Sequence, residues 1–207
     1  MSSDRFPIAV LASGTGSNLQ AILDTVHGRD GIEVVAVGSN VADAPALERA
    51  RRAGVPTAAF PLADHPDRAA RDAALADWIE QQGASLVVLA GYMQLLTPGF
   101  LARFPLRVVN VHPALLPAFP GLRAVEQALE HGVRVFGVTV HFVDEGVDTG
   151  PIILQRAVEL PHARTAEEVF EQIHAIEHRL LPEAIRLIAR GAVRADPDNP
   201  RRVLLDP

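Results

Sequence analysis

The chain has 207 residues, and at roughly 150 residues per domain this length favours one domain with its own core. Its hydrophobic fraction of 48% and charged fraction of 21% exclude disorder, collagen and a coiled coil as descriptions of the whole chain. Acidic residues outnumber basic ones by 25 to 19, and the basic residues form no cluster longer than pairs such as Arg51-Arg52. This charge pattern argues against nucleic-acid binding.

Two residue types are absent from the chain, and each absence excludes a chemistry. There is no Cys, which excludes disulfides, thiolate nucleophiles and cysteine-ligated metals. There is also no Lys, since all 19 basic residues are Arg, which excludes a Schiff-base lysine and the lysine of a Walker loop. The first apolar run, of about five residues, is too short for a signal sequence or a membrane span. We therefore expect a cytoplasmic protein without a membrane partner.

Short apolar runs alternate with helical patterns in the first half of the chain. Residues 67–82 form the clearest helical pattern, and Gly83 follows where a left-handed cap is expected. Thr97-Pro98 is typical of a helix start. The apolar runs have strand length and are nearly continuous, as in parallel strands buried on both faces: Ile8 to Ala12, Glu33 to Val37, Leu86 to Ala90 and Val108 to His112. This series predicts a single-domain, doubly wound, Rossmann-like α/β fold with a mostly parallel sheet.

The pattern changes after about residue 132. Residues 133–144 alternate in polarity, and residues 151–160 form a second long strand pattern, so we predict a mixed or antiparallel C-terminal extension of the sheet. We place the domain at residues 1–195. Residues 196–207 are Pro-rich and are expected to form a loosely packed tail.

A long C-terminal helix is predicted between the sheet extension and the tail. Thr165 and Glu168 form a capping-box pattern at its start, Pro182 should kink it and Gly191 should end it. The helix contains His174-x-x-Glu177-His178, a pattern shared with inverted zinc peptidases. Only 29 residues follow, too few to supply the usual third ligand, and we predict no metal site.

The turn after the first strand is rich in glycine and reads LASGTGSNL over residues 11–19. Free N–H groups and the positive end of a helix dipole make such a turn a cradle for anions, to which Ser17 and Asn18 can add donors. A dinucleotide is disfavoured, because Leu19 replaces the third glycine and the second strand ends without an acidic residue. A phosphate monoester fits better, with a plain tight turn as the alternative. A Cβ at Gly16 should obstruct an anion.

Two later segments combine polar groups suited to acyl transfer. Asn110 and His112 lie two apart in a strand, so they share a face at the strand's carboxyl end. An amide and an imidazole there can donate to an oxyanion, although they could also only satisfy loop backbone. His141 shares a strand face with Thr139, and Asp148 follows in a Gly-rich turn, where an Asp is commonly a turn former. Two nearby histidines favour a functional role for Asp148.

In order and spacing, these segments resemble the folate-dependent phosphoribosylglycinamide formyltransferases of purine biosynthesis. The resemblance extends from about Ile8 to Arg190. It is carried by SGTGSNLQAIL at residues 13–23, AGYMQLLTP at 90–98, NVHPALLPAFPG at 110–121 and HFVDEGVDTGPII at 141–153. It implies a one-carbon transferase that moves the formyl group of 10-formyltetrahydrofolate, its co-substrate, to the amine of a glycinamide ribonucleotide. It also implies a cis peptide bond at Leu116-Pro117.

The resemblance also implies a phosphate- and nucleotide-binding N-terminal half and a folate-binding, catalytic C-terminal half, and it assigns residues to roles. Asn110 and His112 would hold the formyl oxygen, and Asp148 would orient a water and move the amine's proton. The ribonucleotide's phosphate and ribose would be bound by Gly14, Thr15, Gly16, Ser17, Asn18 and Glu177. Folate would be bound by Arg68, Met93, Gln94, Leu95, Leu96, Asn110, His141, Val143 and Asp144.

The sequence departs from the family pattern at four positions outside the catalytic set. Gln94 stands where Arg is frequent, Ala114 and Ala118 where Ser and Lys are common, and Arg123 where His is frequent. Contacts to folate and phosphate could change, whereas the chemistry should not. Two alternatives remain: a formyltetrahydrofolate deformylase-like hydrolase and a non-enzymatic nucleotide-binding module. The expected partners are the two small-molecule substrates, with monomer and homodimer both open.

Overall fold

The computed structural model describes residues 5–206, which form two compact units divided between Val109 and Asn110. The strands are β1 (Phe6–Leu11), β2 (Ile32–Ser39), β3 (Thr57–Ala59), β4 (Leu86–Leu89), β5 (Val108–His112), β6 (Val135–Phe142), β7 (Ile152–Glu159), β8 (Val193–Asp196) and β9 (Asn199–Leu205). The helices are α1 (Ser17–Thr25), α2 (Pro45–Arg52), α3 (Arg68–Gln81), α4 (Pro98–Leu101), α5 (Ala124–Glu130) and α6 (Ala166–Ala189).

The first unit is built on a parallel sheet in the order β3-β2-β1-β4. Residues 8–11 of β1 are fully buried, because β1 pairs with a strand on each side and helices cover both faces of such a sheet. Parallel pairing brings the carboxyl ends of β1, β2 and β4 to one edge. The loops that leave these ends contain the glycine-rich turn and residues 92–97.

The second unit contains the antiparallel pair β6-β7, with β5 beside β6 and the β8-β9 hairpin beyond β7. Helix α6 packs on β6 and β7 and begins at the predicted capping box. Glu168 N donates to Thr165 Oγ1, and Thr165 N donates to Glu168 Oε2. The helix continues through Pro182, so the predicted kink stays a prediction, and the left-handed Gly191 follows its end.

The predicted fold class is confirmed: an α/β protein with a mostly parallel sheet, an antiparallel C-terminal extension and a long C-terminal helix. Strand β3 was not predicted, because three residues are too few to show a period. The cis peptide bond at Leu116-Pro117 is present. The domain boundary at residue 195 stays a prediction.

The expectation of a loosely packed tail at residues 196–207 is wrong for its described part. Strands β8 and β9 form a hairpin, and Ile152 of β7 pairs with Arg202 of β9. Asp196 is buried and accepts hydrogen bonds from Asp198 N and the Arg202 guanidinium. Arg194 donates two hydrogen bonds to Asp206, so charged pairs stabilise a segment with few large apolar side chains.

Candidate active site

The glycine-rich turn connects β1 to α1 with Gly16 in the left-handed conformation, at φ 74° and ψ 35°. A Cβ at Gly16 would lie 2.8 Å from the Cβ of Ala46 on α2, whereas a Cβ at Gly14 would meet no atom within 4 Å. Gly16 is therefore needed for the packing of α1 on α2. The first N–H groups of α1 have no intrahelical acceptor, as at every helix start, so the turn has the geometry of an anion site.

Arg49, on α2, binds the glycine-rich turn, and the sequence alone did not predict this contact. Its Nε donates to the Thr15 carbonyl oxygen at 2.7 Å, and its Nη1 donates to Gln20 Oε1 at 3.1 Å. Arg49 also lines an open cavity of about 510 Å³ between α1 and α2. Helix α2 contains three Arg residues, and the sequence does not distinguish Arg49 from the others.

The predicted folate segment lies at the carboxyl end of β4, where Ser13 joins it to the glycine-rich turn. Ser13 Oγ donates to Asn40 Oδ1 and accepts from Met93 N at 2.8 Å. Arg68 donates to the Leu95 carbonyl oxygen at 2.6 Å. Among the predicted folate residues, the structure thus brings Arg68 and residues 93–96 together.

In the second unit, Asp148 lies within contact distance of three predicted residues. Its Oδ2 is 3.4 Å from His112 Nδ1, and its Oδ1 is 3.5 Å from both His141 Nε2 and Asn110 Nδ2. Gly121 N also donates to Oδ2, at 2.8 Å. The turn itself is stabilised by Asp144, whose Oδ1 accepts from Gly146 N and Thr149 Oγ1. The backbone of Asp148 has the left-handed conformation, at φ 54°.

The hydrogen bonds of the two histidines fix which nitrogen carries hydrogen. His112 Nε2 lies 2.8 Å from the Phe119 carbonyl oxygen, which can only accept, so Nε2 is protonated. His141 Nδ1 lies 2.8 Å from the Phe142 carbonyl oxygen and is protonated for the same reason. His141 Nε2 is then an acceptor in the neutral ring, 3.3 Å from Asn110 Nδ2.

Burial and nearby charges shift the pKa values of His112 and Asp148 in opposite directions. Burial is the largest influence on the pKa of His112 and lowers it below 6.5, although Asp148 and the Phe119 carbonyl oppose this shift. Burial alone would raise the pKa of Asp148, but the nearby His141 and His112 rings and the hydrogen bond from Gly121 N bring it below 3.8. At neutral pH, Asp148 is therefore ionised and His112 is largely uncharged.

We expect Asp148→Asn to lower the pKa of His112 further, because the negative charge of the carboxylate opposes the effect of burial on that pKa. NMR titration of the His112 ring in both proteins measures this shift, and an unchanged or raised pKa would contradict the electrostatic reading. In the unfolded chain, the His112 ring has a pKa of about 6.5 and therefore binds a proton more readily than in the folded protein. Stability should therefore fall as pH falls through about 6.5, and more steeply in the variant.

A hydroxyl network supports the loop that follows His112. Thr139 Oγ1 donates to the Ala114 carbonyl oxygen at 2.7 Å and accepts from Leu116 N at 3.1 Å and Gln155 Nε2 at 3.0 Å. Gln155 Nε2 also donates to the Leu116 carbonyl oxygen at 2.8 Å. Sequence analysis assigned no role to Gln155, because its partners are 16 and 39 residues away.

The remaining predicted residues lie on α6 or beside the cluster. Glu177 is 6% exposed on α6, and Val143 is half-buried after β6. The His174 and His178 rings stack 6.2 Å apart. Among residues 5–206, no three His, Asp or Glu side chains are grouped to hold a metal ion, and the prediction of no metal stays a prediction. No helix in the described chain is long and apolar enough to cross a bilayer.

The chain belongs to the formyl transferase family, which it matches over residues 6–185. It is 46% identical over 186 residues to the phosphoribosylglycinamide formyltransferase of Mycobacterium tuberculosis, a match that covers 90% of this chain and 86% of that protein. The crystal structure of glycinamide ribonucleotide transformylase 1 from Symbiobacterium toebii has a TM-score of 0.93 and 52% identity, covering 99% of this chain and 95% of that one.

Longer relatives contain the same segment. The trifunctional purine biosynthetic protein adenosine-3 of Bos taurus is 43% identical over 188 residues, which cover 90% of this chain. The chain spans 19% of that protein's length and 14% of its Drosophila pseudoobscura pseudoobscura counterpart.

Proposed function

We propose that this chain transfers the formyl group of 10-formyltetrahydrofolate to the amine of 5′-phosphoribosylglycinamide, a step of purine biosynthesis. The single observation that carries the proposal is the ionised Asp148 within 3.5 Å of Asn110, His112 and His141. Membership of the formyl transferase family and the names of its relatives support the choice of substrates. Both substrates are charged metabolites, which fits a cytoplasmic location.

The reaction needs an oxyanion stabiliser and a proton acceptor. The amine attacks the formyl carbon, whose oxygen gains negative charge, and the bond from that carbon to the folate nitrogen then breaks. The amine loses one proton and the folate nitrogen gains one. A thiol, a lysine and a metal are not required, and the first two are absent from this chain.

Asn110 and His112 stabilise the developing oxyanion in this proposal. The contacts of Asn110 Nδ2, at 3.3 and 3.5 Å, are long and therefore weak, so the amide can redirect a hydrogen at little cost. His112 Nε2 already donates to the Phe119 carbonyl oxygen, so the formyl oxygen must replace that carbonyl as acceptor. A neutral carbonyl is a weaker acceptor than an oxyanion, which favours this exchange as charge develops.

Asp148 accepts the proton that leaves the amine, directly or through a water. Its lowered pKa keeps the carboxylate ionised at neutral pH, which is the form that an acceptor needs. The hydrogen bond from Gly121 N fixes the orientation of the carboxylate near His112 and His141.

The turn at Gly14, Thr15, Gly16, Ser17 and Asn18 binds the 5′-phosphate in this proposal, and Glu177 the ribose hydroxyls. The Ser17 hydroxyl is half-buried at the start of α1, where it can donate to an anion. Folate binds to Arg68 and residues 93–96 and to Asn110, His141, Val143 and Asp144.

Ser17→Ala should raise KM for the ribonucleotide at least about tenfold, because one hydrogen bond to a charged group contributes about 1.5 to 3 kcal/mol. KM for the folate should not change. Thr25→Ala removes a hydroxyl from the other end of α1 and is the matched control. Equal effects on both substrates would contradict phosphate binding at this turn, as would inorganic phosphate that fails to compete with the ribonucleotide.

A formyl-transfer assay with and without the glycinamide ribonucleotide tests the function itself. We expect turnover of 10-formyltetrahydrofolate only when the acceptor is present. Release of formate without acceptor would identify a deformylase, and ribonucleotide binding without turnover would identify a binding module.

A further inference from the structure

Residues 92–97 form neither helix nor strand, yet polar contacts hold four of them. The contacts already described hold Met93 N and the Leu95 carbonyl oxygen. The other two come from adjacent residues of α3. Arg71 Nη1 donates to Gln94 Oε1 at 3.1 Å, and Thr97 N donates to Asp72 Oδ2 at 2.7 Å.

Arg71 and Asp72 form an ion pair that is completely buried, with both residues 0% exposed. Arg71 Nε and Nη2 lie 2.9 and 2.7 Å from Asp72 Oδ1. The free energy that is lost when two charges are removed from water commonly exceeds the free energy of their attraction. Apolar residues of similar volume often stabilise a core as well or better. The pair is therefore poorly explained by stability alone.

The loop that this pair holds exposes apolar side chains. Met93 is 63% exposed and Leu95 is 58% exposed, although the backbone around them is fixed at residues 93, 95 and 97. A fixed backbone that presents apolar side chains loses less conformational entropy when an apolar group binds. The contacts of Arg71 and Asp72 are directed at the two loop residues, Gln94 and Thr97, on either side of Leu95.

We propose that the Arg71–Asp72 pair is a positioning element that holds residues 92–97 in the shape that binds the ring system of the folate co-substrate. This inference rests on the proposed function, and it assigns the affinity for folate in part to two residues that do not contact it. Asp72 is the centre of the arrangement, because one oxygen binds Arg71 and the other binds the loop backbone.

The variants are chosen so that no buried charge is left unpaired. The double variant Arg71→Met/Asp72→Asn removes both charges and both contacts of Arg71. A second double variant, Arg71→Gln/Asp72→Asn, also removes both charges, keeps a polar group at each position, and is used if the first double variant does not fold. Asp77→Asn is the matched control, because Asp77 lies on the same helix and its ion pair with Arg103 is at the surface.

Two readouts separate positioning from a general loss of stability: equilibrium binding of tetrahydrofolate, which needs no turnover, and KM for each substrate. We expect the double variant to bind tetrahydrofolate about tenfold more weakly, the effect of losing one hydrogen bond to a charged group. KM for folate should rise equally, while KM for the ribonucleotide and the properties of Asp77→Asn stay within about twofold.

Unchanged tetrahydrofolate affinity in a folded variant would overturn the inference. So would an equal rise of both KM values together with a lower melting temperature, since the pair would then serve the fold in general. Failure of the wild-type chain to bind tetrahydrofolate would instead contradict the proposed function.

Discussion

Asp148→Asn is expected to lower kcat by at least about 10²-fold, because the amide keeps the size of the side chain and loses its capacity to accept a proton. Gly121 N can still donate to the amide oxygen, so the turn should keep its conformation and the melting temperature should change little. Substrate KM values should also change little. Single-turnover kinetics measure the chemical step. If the variant retains more than about a third of wild-type kcat, Asp148 is a turn residue and its proposed role is wrong.

Asp144→Asn provides the comparison within the same turn. Asp144 accepts from Gly146 N and Thr149 Oγ1, contacts that an amide oxygen can also accept. The two substitutions make the same chemical change four residues apart, but only Asp148 contacts the histidines. A comparable loss of kcat in both variants would indicate that the turn, and not the Asp148 charge, controls the reaction.

His112→Ala should cost about 10²- to 10³-fold in kcat, or roughly 2.7 to 4 kcal/mol, the range for removing one donor to an oxyanion. The double variant with Asp148→Asn should be little worse than either single variant, because residues that act as one unit lose their effect together. Free-energy losses that simply add would show that His112 and Asp148 act independently.

Much of the fold follows from local sequence signals. Strand β5 lies at the predicted residues, because a short segment rich in Val favours a buried strand. The spacing of Asn110 and His112 predicts a shared face, and both contact Asp148 in the structure. The hairpin at residues 193–205 was missed because its stabilising pairs, Arg194 with Asp206 and Arg202 with Asp196, are not apolar and leave no hydrophobic period.

Contacts between distant residues were beyond prediction. The Asp148 carboxylate accepts a hydrogen bond from Gly121 N, which lies 27 residues earlier in the chain. Arg49 is 34 residues from the carbonyl oxygen that it holds, and Asp72 is 25 residues from Thr97. No periodicity or motif encodes such pairs, since they depend on how the loops leave neighbouring strands.

The fate of a ¹³C-labelled formyl carbon tests the central claim most directly. Wild-type protein is mixed with labelled 10-formyltetrahydrofolate and 5′-phosphoribosylglycinamide, and the carbon is followed by NMR. We predict that the label appears as a formamide on the ribonucleotide amine, with one equivalent of tetrahydrofolate released, and that Asp148→Asn slows its appearance by at least about 10²-fold. Label recovered as formate, or left on the folate while the ribonucleotide is bound, would contradict the account.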